Sequence, residues 1–446
     1  MLTEEIRNSF LQVLEEGVKP ATGCTEPVAV AYAAAVCRTY LEDPHIDRIN
    51  IRVSANVMKN ALAVIVPGTK EAGVEVAAAA GALAGNAEAG LKVISELSPD
   101  IVPEIISLAR SNQVKAEVAS VADKLYVEVS IASGCETVTV KIAGGHTSIY
   151  WIQKNKEVIF KKEKLQSNEE SSSVEFLKKC SFAEIWDFAT SQNLEDILPL
   201  IKAQELNMNL ASEGLSNDYG MGIGKALLNH RSLSDLSLEE QIVICTAAAS
   251  DARMGGCQHA AMTNSGSGNQ GITATVPVCV FAQNRSVSEE KLIRALTLSH
   301  LTALYIHAFL PLLSAYCATD SAAMGAAAGL IYLESEDEEK AGMAIKNMIG
   351  DAVGMICDGA GFSCALKVVS SVSSMYRAVQ LAQSGVVIPA TNGIVSGEVD
   401  DCIHDLGLYV SSGMQNSDPV ILDRKRKKLR ENSLSFFLYC LGSPWG

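Results

Sequence analysis

Hydrophobic and polar positions follow two different rhythms along the chain. Ile49, Ile51 and Val53 alternate with polar residues, as do the stretches Val114–Val121, Leu125–Ile131 and Thr137–Ile142. A period of two sends successive side chains to opposite faces, so each stretch predicts a strand with one buried face. Ala61–Val66 is a short apolar run closed by Pro67-Gly68 and predicts a further strand. Ser133-Gly134 predicts a hairpin turn between the last two strands. Strands are expected between Ile49 and Trp151, with Ala72–Gly90 and Pro103–Asn112 as helices packed on them. At the N-terminus, Thr3 caps a helix whose apolar face is Ile6, Phe10, Val13 and Leu14, and Gly17 stops it. Pro27 suits the first turn of a second helix, Val28–Leu41.

Lys161–Ser173 is charged and Ser-rich and reads as an exposed linker. After it the spacing becomes helical. Ser237 and Glu240 form a capping box for a helix through Ser250. Ser286 and Glu289 repeat the spacing ahead of Leu292, Ala295, Leu296 and Leu298, and Pro311 should kink or end that helix. The fold class is α+β: a small α+β domain with a mostly antiparallel sheet (1–165) and a larger all-helical domain (174–446). A chain of 446 residues exceeds a typical single core, which agrees with two domains.

The net charge of −15 argues against nucleic acid and acidic membrane as partners. No apolar run is long enough to span a bilayer, and MLTEEIRNSF lacks the features of a signal peptide. A cytoplasmic setting is expected, where 12 scattered cysteines are free, metal-binding or catalytic rather than paired. The C-terminal segment joins a basic run within Asp423–Arg430 to apolar Leu434–Cys440, which packs on the helical domain or mediates homo-oligomer formation.

Three stretches carry candidate chemistry. Cys317 opens an Ala/Gly-rich run, and Cys357 and Cys364 flank six residues rich in glycine. Thiolates are the usual ligands of iron–sulfur clusters, glycine lets backbone approach a bulky group, and three cysteines without a fourth leave one iron open. Buried packing cysteines would give the same pattern. Cys24, in Pro20-Ala-Thr-Gly-Cys-Thr-Glu-Pro27, precedes a helix N-terminus, where the macrodipole lowers a thiol pKa; a structural turn cysteine is the alternative. Thr263, Asn264, Ser265, Gly266, Ser267, Gly268 and Asn269 form a loop of hydroxyls, amides and glycines. It suits a carboxylate or phosphate through an N–H nest reaching Gly271, with a helix beginning at Ile272–Val280, or it is a plain surface loop. It lacks the P-loop ending. Gly144-Gly145-His146 reads as a turn that can also carry chemistry.

Together these motifs resemble L-cysteine desulfidase and the UPF0597 proteins, and more distantly the iron–sulfur L-serine dehydratases, from about Lys19 to Lys367. In the dehydratases a Ser-Ser-His-Thr segment stands where Ala21–Thr25 stands here, and its histidine is the base; Cys24 takes that position, which is the desulfidase pattern. Their last two ligand cysteines are spaced more widely than Cys357 and Cys364. The resemblance implies a 4Fe-4S cluster on Cys317, Cys357 and Cys364, Cys24 as base, and the Thr263–Asn269 loop as substrate-carboxylate site. Glu26 and His146 are candidate supporting groups. It implies elimination of L-cysteine to pyruvate, ammonia and sulfide without pyridoxal phosphate. The alternatives are L-serine dehydration, or a non-catalytic iron–sulfur sensor or small-molecule-binding protein.

Overall fold

The computed structural model describes residues 2–164, 171–425 and 427. Leu434–Cys440 and the end of the basic run lie outside them. The described fold is α+β. Six strands form the main sheet in the order β3-β2-β4-β5-β6-β7, with β2 Arg48–Val53, β3 Val114–Val118, β4 Tyr126–Ser133, β5 Glu136–Ala143, β6 Ile149–Lys154 and β7 Glu157–Lys161. Only the β2–β3 pair is parallel. The alternation does what the sequence implies. Ile51, Val129 and Val140 stand in register and fully buried, while Arg52, Glu128 and Lys141 stand in register on the other face as an ion ladder (3.4 and 3.1 Å).

The buried face is covered by α2 (Thr25–Thr39) and α4 (Val74–Ala84), with α3 (Ala55–Ala61) and α5 (Val102–Arg110) around them; α1 (Glu4–Gly17) packs elsewhere. Alanines let α2 and α4 pack closely: a Cβ on Gly81 would stand 2.0 Å from the carbonyl oxygen of Ala31. Several expectations need correction. Ala61–Val66 is not a strand; α3 ends at Ala61, and Ile65 makes one isolated bridge to Ala72 because Pro67-Gly68 turns the chain before a ladder can form. The second helix starts at Thr25, with Pro27 inside its first turn, where its missing N–H is tolerated. Strands also continue past Trp151 to Lys161.

Beyond residue 171 the described residues are helical apart from β8 (Ala260–Met262) and the connecting loops. The helices are α6 Ser172–Leu177, α7 Phe182–Ser191, α8 Leu194–Ile197, α9 Ile201–Ser216, α10 Ile223–Leu228, α11 Leu238–Met254, α12 Gly268–Arg285, α13 Glu289–Ala308, α14 Thr319–Glu334, α15 Glu338–Asp351, α16 Cys364–Gln383 and α17 Val399–Leu408. The Ser237/Glu240 capping box opens α11. Ser286, however, closes α12 in the left-handed conformation, and Ser288 caps α13. The helices share one large apolar core, and Phe10, Val13 and Leu14 of α1 belong to it rather than to the sheet's core. A short antiparallel ribbon joins the two parts: β1 (Pro20–Thr22) pairs with β8, Ala21 opposite Ala261.

Candidate active site

The β1–β8 ribbon brings the N-terminal motif against the Gly/Ser loop. Its pairing continues as Thr263 and Ser265 donate their N–H groups to the carbonyls of Lys19 (2.8 Å) and Gly17 (3.1 Å). On the other strand, Gly23 takes a φ of +72° and tucks under Pro67, so the chain turns sharply into α2 with Cys24 at its N-cap. The Cys24 side chain makes no capping bond. Its thiol donates instead to Glu26 Oε2 at 3.0 Å. Glu26 also accepts from Thr25 Oγ1 (3.2 Å) and Asn60 Nδ2 (2.8 Å).

Burial and the adjacent Glu26 charge push the Cys24 thiol well above its usual range, against the pull of Arg253. The expectation of a thiol acidified by its helix N-terminus is therefore corrected: desolvation outweighs the macrodipole, and the proton rests on sulfur. Burial also pushes Glu26 up, but the charge of His146 and the bonds from Cys24 and Asn60 leave it below the usual carboxylate range. Burial pushes His146, on the turn after β5, below the usual imidazole range against the opposing Glu26 charge, and its Nε2 has no partner among the described residues.

A cavity of about 120 Å³ opens in front of these groups. Cys24, Glu26 and His146 line it together with Ser265, Gly266, Ser267 and Asn269 of the loop, and with Cys317, Cys357 and Cys364. Thr263, Asn264 and Gly268 are not among the lining residues. Thr263 Oγ1 bonds Lys19 O (2.7 Å), and Asn264 Nδ2 bonds the carbonyl and ring of His300 (3.0 and 3.2 Å). Gly268 gives way to Arg253, whose Nε would lie 2.1 Å from an added Cβ. The loop is shorter than the sequence suggests, because α12 starts at Gly268 rather than near Ile272. Gly271 is inside that helix and lets it press on β8; an added Cβ would meet Met262 O at 1.9 Å. An anion at this loop would meet the first turn of α12 rather than a nest extending to Gly271.

The sequence reading missed Arg253, while Gln270 belongs to the polar set it had marked in the loop. Arg253, 4% exposed in the last turn of α11, reaches the cavity with no carboxylate partner among the described residues; Nη1 touches Met254 Sδ at 3.2 Å and Nε has no partner. Gln270 Oε1 is likewise buried and unpartnered. The available signal was an arginine set in the alanine-rich, buried sequence of α11. Unpartnered buried polar atoms are scarce in folded proteins, and those of His146, Arg253, Gln270 and Tyr316 converge here.

The cysteine loops are clamped to each other. Cys317 N–H donates to Met355 O (3.1 Å), Cys357 N–H to Ala315 O (2.7 Å), and Tyr316 bridges Ile356. Cys364 is the first residue of α16. Burial, then the neighbouring Cys357, raises both Cys317 and Cys364. Lys367, Lys425 and buried Lys59 surround the group; Lys59 Nζ donates to Cys357 O at 3.4 Å. Among the described residues, the one trio of metal-ligating atoms all within 4.8 Å of one another lies elsewhere. Cys317, Cys357 and Cys364 are not such a trio. Three soft sulfur donors on one cavity, with cations around them, fit an iron–sulfur cluster.

Residues 104–423 match the profile of the serine dehydratase alpha chain. A UPF0597 protein of Latilactobacillus sakei is 53% identical over 93% of this chain and 97% of its own. One from Dichelobacter nodosus is 43% identical, and UPF0597 protein YhaM of Escherichia coli O1:K1 is 42% identical, each over 94% of this chain and 97% of its own. The chain therefore belongs to the UPF0597 family, on the serine dehydratase alpha-chain fold.

Proposed function

We propose that this protein is a carbon–sulfur lyase that converts L-cysteine to pyruvate, ammonia and sulfide, with L-serine as the alternative substrate. The observation that carries the reading is the single cavity lined by Cys24, Arg253, the Ser265–Asn269 segment and the three cysteines. Its volume suits a small amino acid and excludes a macromolecule. Cys317, Cys357 and Cys364 would hold a 4Fe-4S cluster; when bound, it supplies a Lewis-acidic iron for the leaving group.

Arg253 is the fixed cation for the substrate carboxylate, and Ser265, Ser267 and the first turn of α12 complete that pocket. Cys24, hydrogen-bonded to Glu26, is the base proposed for the α-proton, a role it fills only as the thiolate. The buried, unpartnered Nε2 of His146 favours a second reading for this step: His146 accepts the α-proton directly, and Cys24–Glu26 orients the substrate. We read the chain as two domains, 1–165 and 174–446, with α1 packed on the second. The 11 free cysteines among the described residues suit a reducing, cytoplasmic setting.

The test is pyruvate release from L-cysteine and L-serine by anaerobically purified protein carrying about four irons per chain. Cys24→Ala is expected to keep the cluster's absorbance and lower turnover at least ~10²-fold, as loss of a general base does. Cys317→Ala or Cys357→Ala is expected to lose the iron itself. Iron-loaded protein that releases no pyruvate from either amino acid overturns the reading. Full activity in Cys24→Ala together with loss in His146→Gln moves the base to His146.

A further inference from the structure

We propose that Glu213, Cys257 and His259 form a zinc site on the outer side of the helical region, separate from the cavity. Glu213 stands in the last turn of α9, and Cys257 and His259 in the segment between α11 and β8. One ligand atom from each lies within 4.8 Å of the other two. His259 Nε2 and Glu213 Oε1 are 3.6 Å apart. Zinc bonds of ~2.0 Å to nitrogen and oxygen and ~2.3 Å to sulfur make a tetrahedral edge of roughly 3.3–3.8 Å, so this pair already has the spacing of two ligands on one ion.

The surroundings are arranged as a metal site requires. Glu213 Oε2 accepts from Asn217 Nδ2 (2.9 Å) and Tyr219 OH (3.4 Å), which turns Oε1 toward the histidine. Outer hydrogen bonds of this kind orient ligating carboxylates. Cys257 is 3% exposed and forms the floor, while the His259 side chain is 53% exposed. The fourth position opens to solvent for a water ligand. The backbone is pinned on both sides, by Cys257 N–H to Ala252 O (3.0 Å) and by the pairing of β8 with β1. An exposed His–Glu pair contributes little alone; the thiol at the same point is bonded by Tyr219 and by the His259 backbone, which holds its sulfur beside the pair. Sulfur with imidazole and carboxylate selects zinc over calcium or magnesium. The ion would tie the end of α9 to the segment leading through β8 to Ser265–Asn269.

The experiment uses the iron-loaded protein, stripped with a mild chelator and titrated with Zn²⁺ alone. The expected result is one zinc per chain by elemental analysis. The zinc K-edge spectrum should show one sulfur at ~2.3 Å and the remaining ligands nitrogen or oxygen at ~2.0–2.1 Å. Cys257→Ser and His259→Gln should each weaken binding at least ~10-fold; His259 is half-exposed, so its variant reports even if the serine variant folds poorly. Cys317→Ala, lacking the cluster, should still bind this zinc with one sulfur. No zinc retained by the wild-type protein, unchanged affinity in His259→Gln, or a zinc with three sulfurs overturns the proposal. Absence of pyruvate release would leave it standing.

Discussion

Arg253 is held in the cavity by what is missing around it: no side chain at Gly268 and no carboxylate partner among the described residues. An unpaired buried cation is expensive to retain unless a ligand completes it. Arg253→Met is expected to raise KM for the amino acid by ~10–100-fold, the loss of a charge-assisted pair, with kcat changing less. Steady-state kinetics checks this, and a fall in kcat at unchanged KM would mean that Arg253 acts only in the transition state. A second residue-scale effect concerns pH. Burial holds His300 and His307 down at about 4. Unfolded, each titrates near ~6.5. Between those values the unfolded chain binds more protons than the folded one, so stability rises with pH across the window and is lost as pH falls through it. Each histidine contributes up to ~3 kcal/mol of that loss. Denaturation midpoints at pH 7.5 and 5 should show it, and His300→Gln should reduce the difference between them.

The element that decides the site's geometry is α12. Ser267 caps it, its first turn faces the cavity, and Gly271 lets it lie against β8. Gly271→Ala would drive a methyl into the backbone around Met262 and Thr263, which cannot move aside as a flexible side chain could. Helix propensity alone would favour alanine by up to ~1 kcal/mol, but the clash reverses the sign. The variant is expected to lose ~1–3 kcal/mol of stability and to weaken substrate binding, because β8 and the Ser265–Asn269 segment shift together. Thermal unfolding checks the first effect and KM the second. A more stable Gly271→Ala protein would show that the helix and strand are not in this contact.

At the scale of the whole molecule, the sheet and the helical region meet around the cysteines. Lys59 of α3 is 1% exposed and pairs with Asp418 Oδ1 at 2.5 Å. It also donates to the carbonyls of Ser314 (3.3 Å) and Cys357 (3.4 Å). Lys425 adds bonds to Lys59 O and Asp358 O, both 3.0 Å. One lysine thus ties the sheet's helices to both cysteine loops. Lys59→Met would leave Asp418 and two carbonyls without their donor and is expected to cost ~3–5 kcal/mol. Iron content should fall with it, since the loop carrying Cys357 loses its anchor. Wild-type iron content and an unchanged unfolding midpoint in Lys59→Met would show that the tether is dispensable.

Local chemistry determined much of this protein before any tertiary contact. Alternation fixes β2, β4 and β5 with their buried faces, since a period of two leaves a half-buried strand no other register. The Ser237–Glu240 spacing starts α11, and the glycine-rich surroundings of Cys24, Ser265–Gly268 and Cys357–Cys364 mark the cavity's walls. Those signals are carried by neighbours in sequence. What depends on distant partners was not legible. Three-residue strands such as β1 and β8 have too few residues to show a period, and exist because each pairs with the other across more than two hundred residues. The start of α12 depends on the Ser267 cap and on Met262 beneath Gly271. The proton on Cys24 depends on burial and Glu26, which outweigh a helix N-terminus that was visible in the sequence. Arg253 stands in the cavity without a carboxylate partner among the described residues, and an absence of partners is a property of the packed molecule alone.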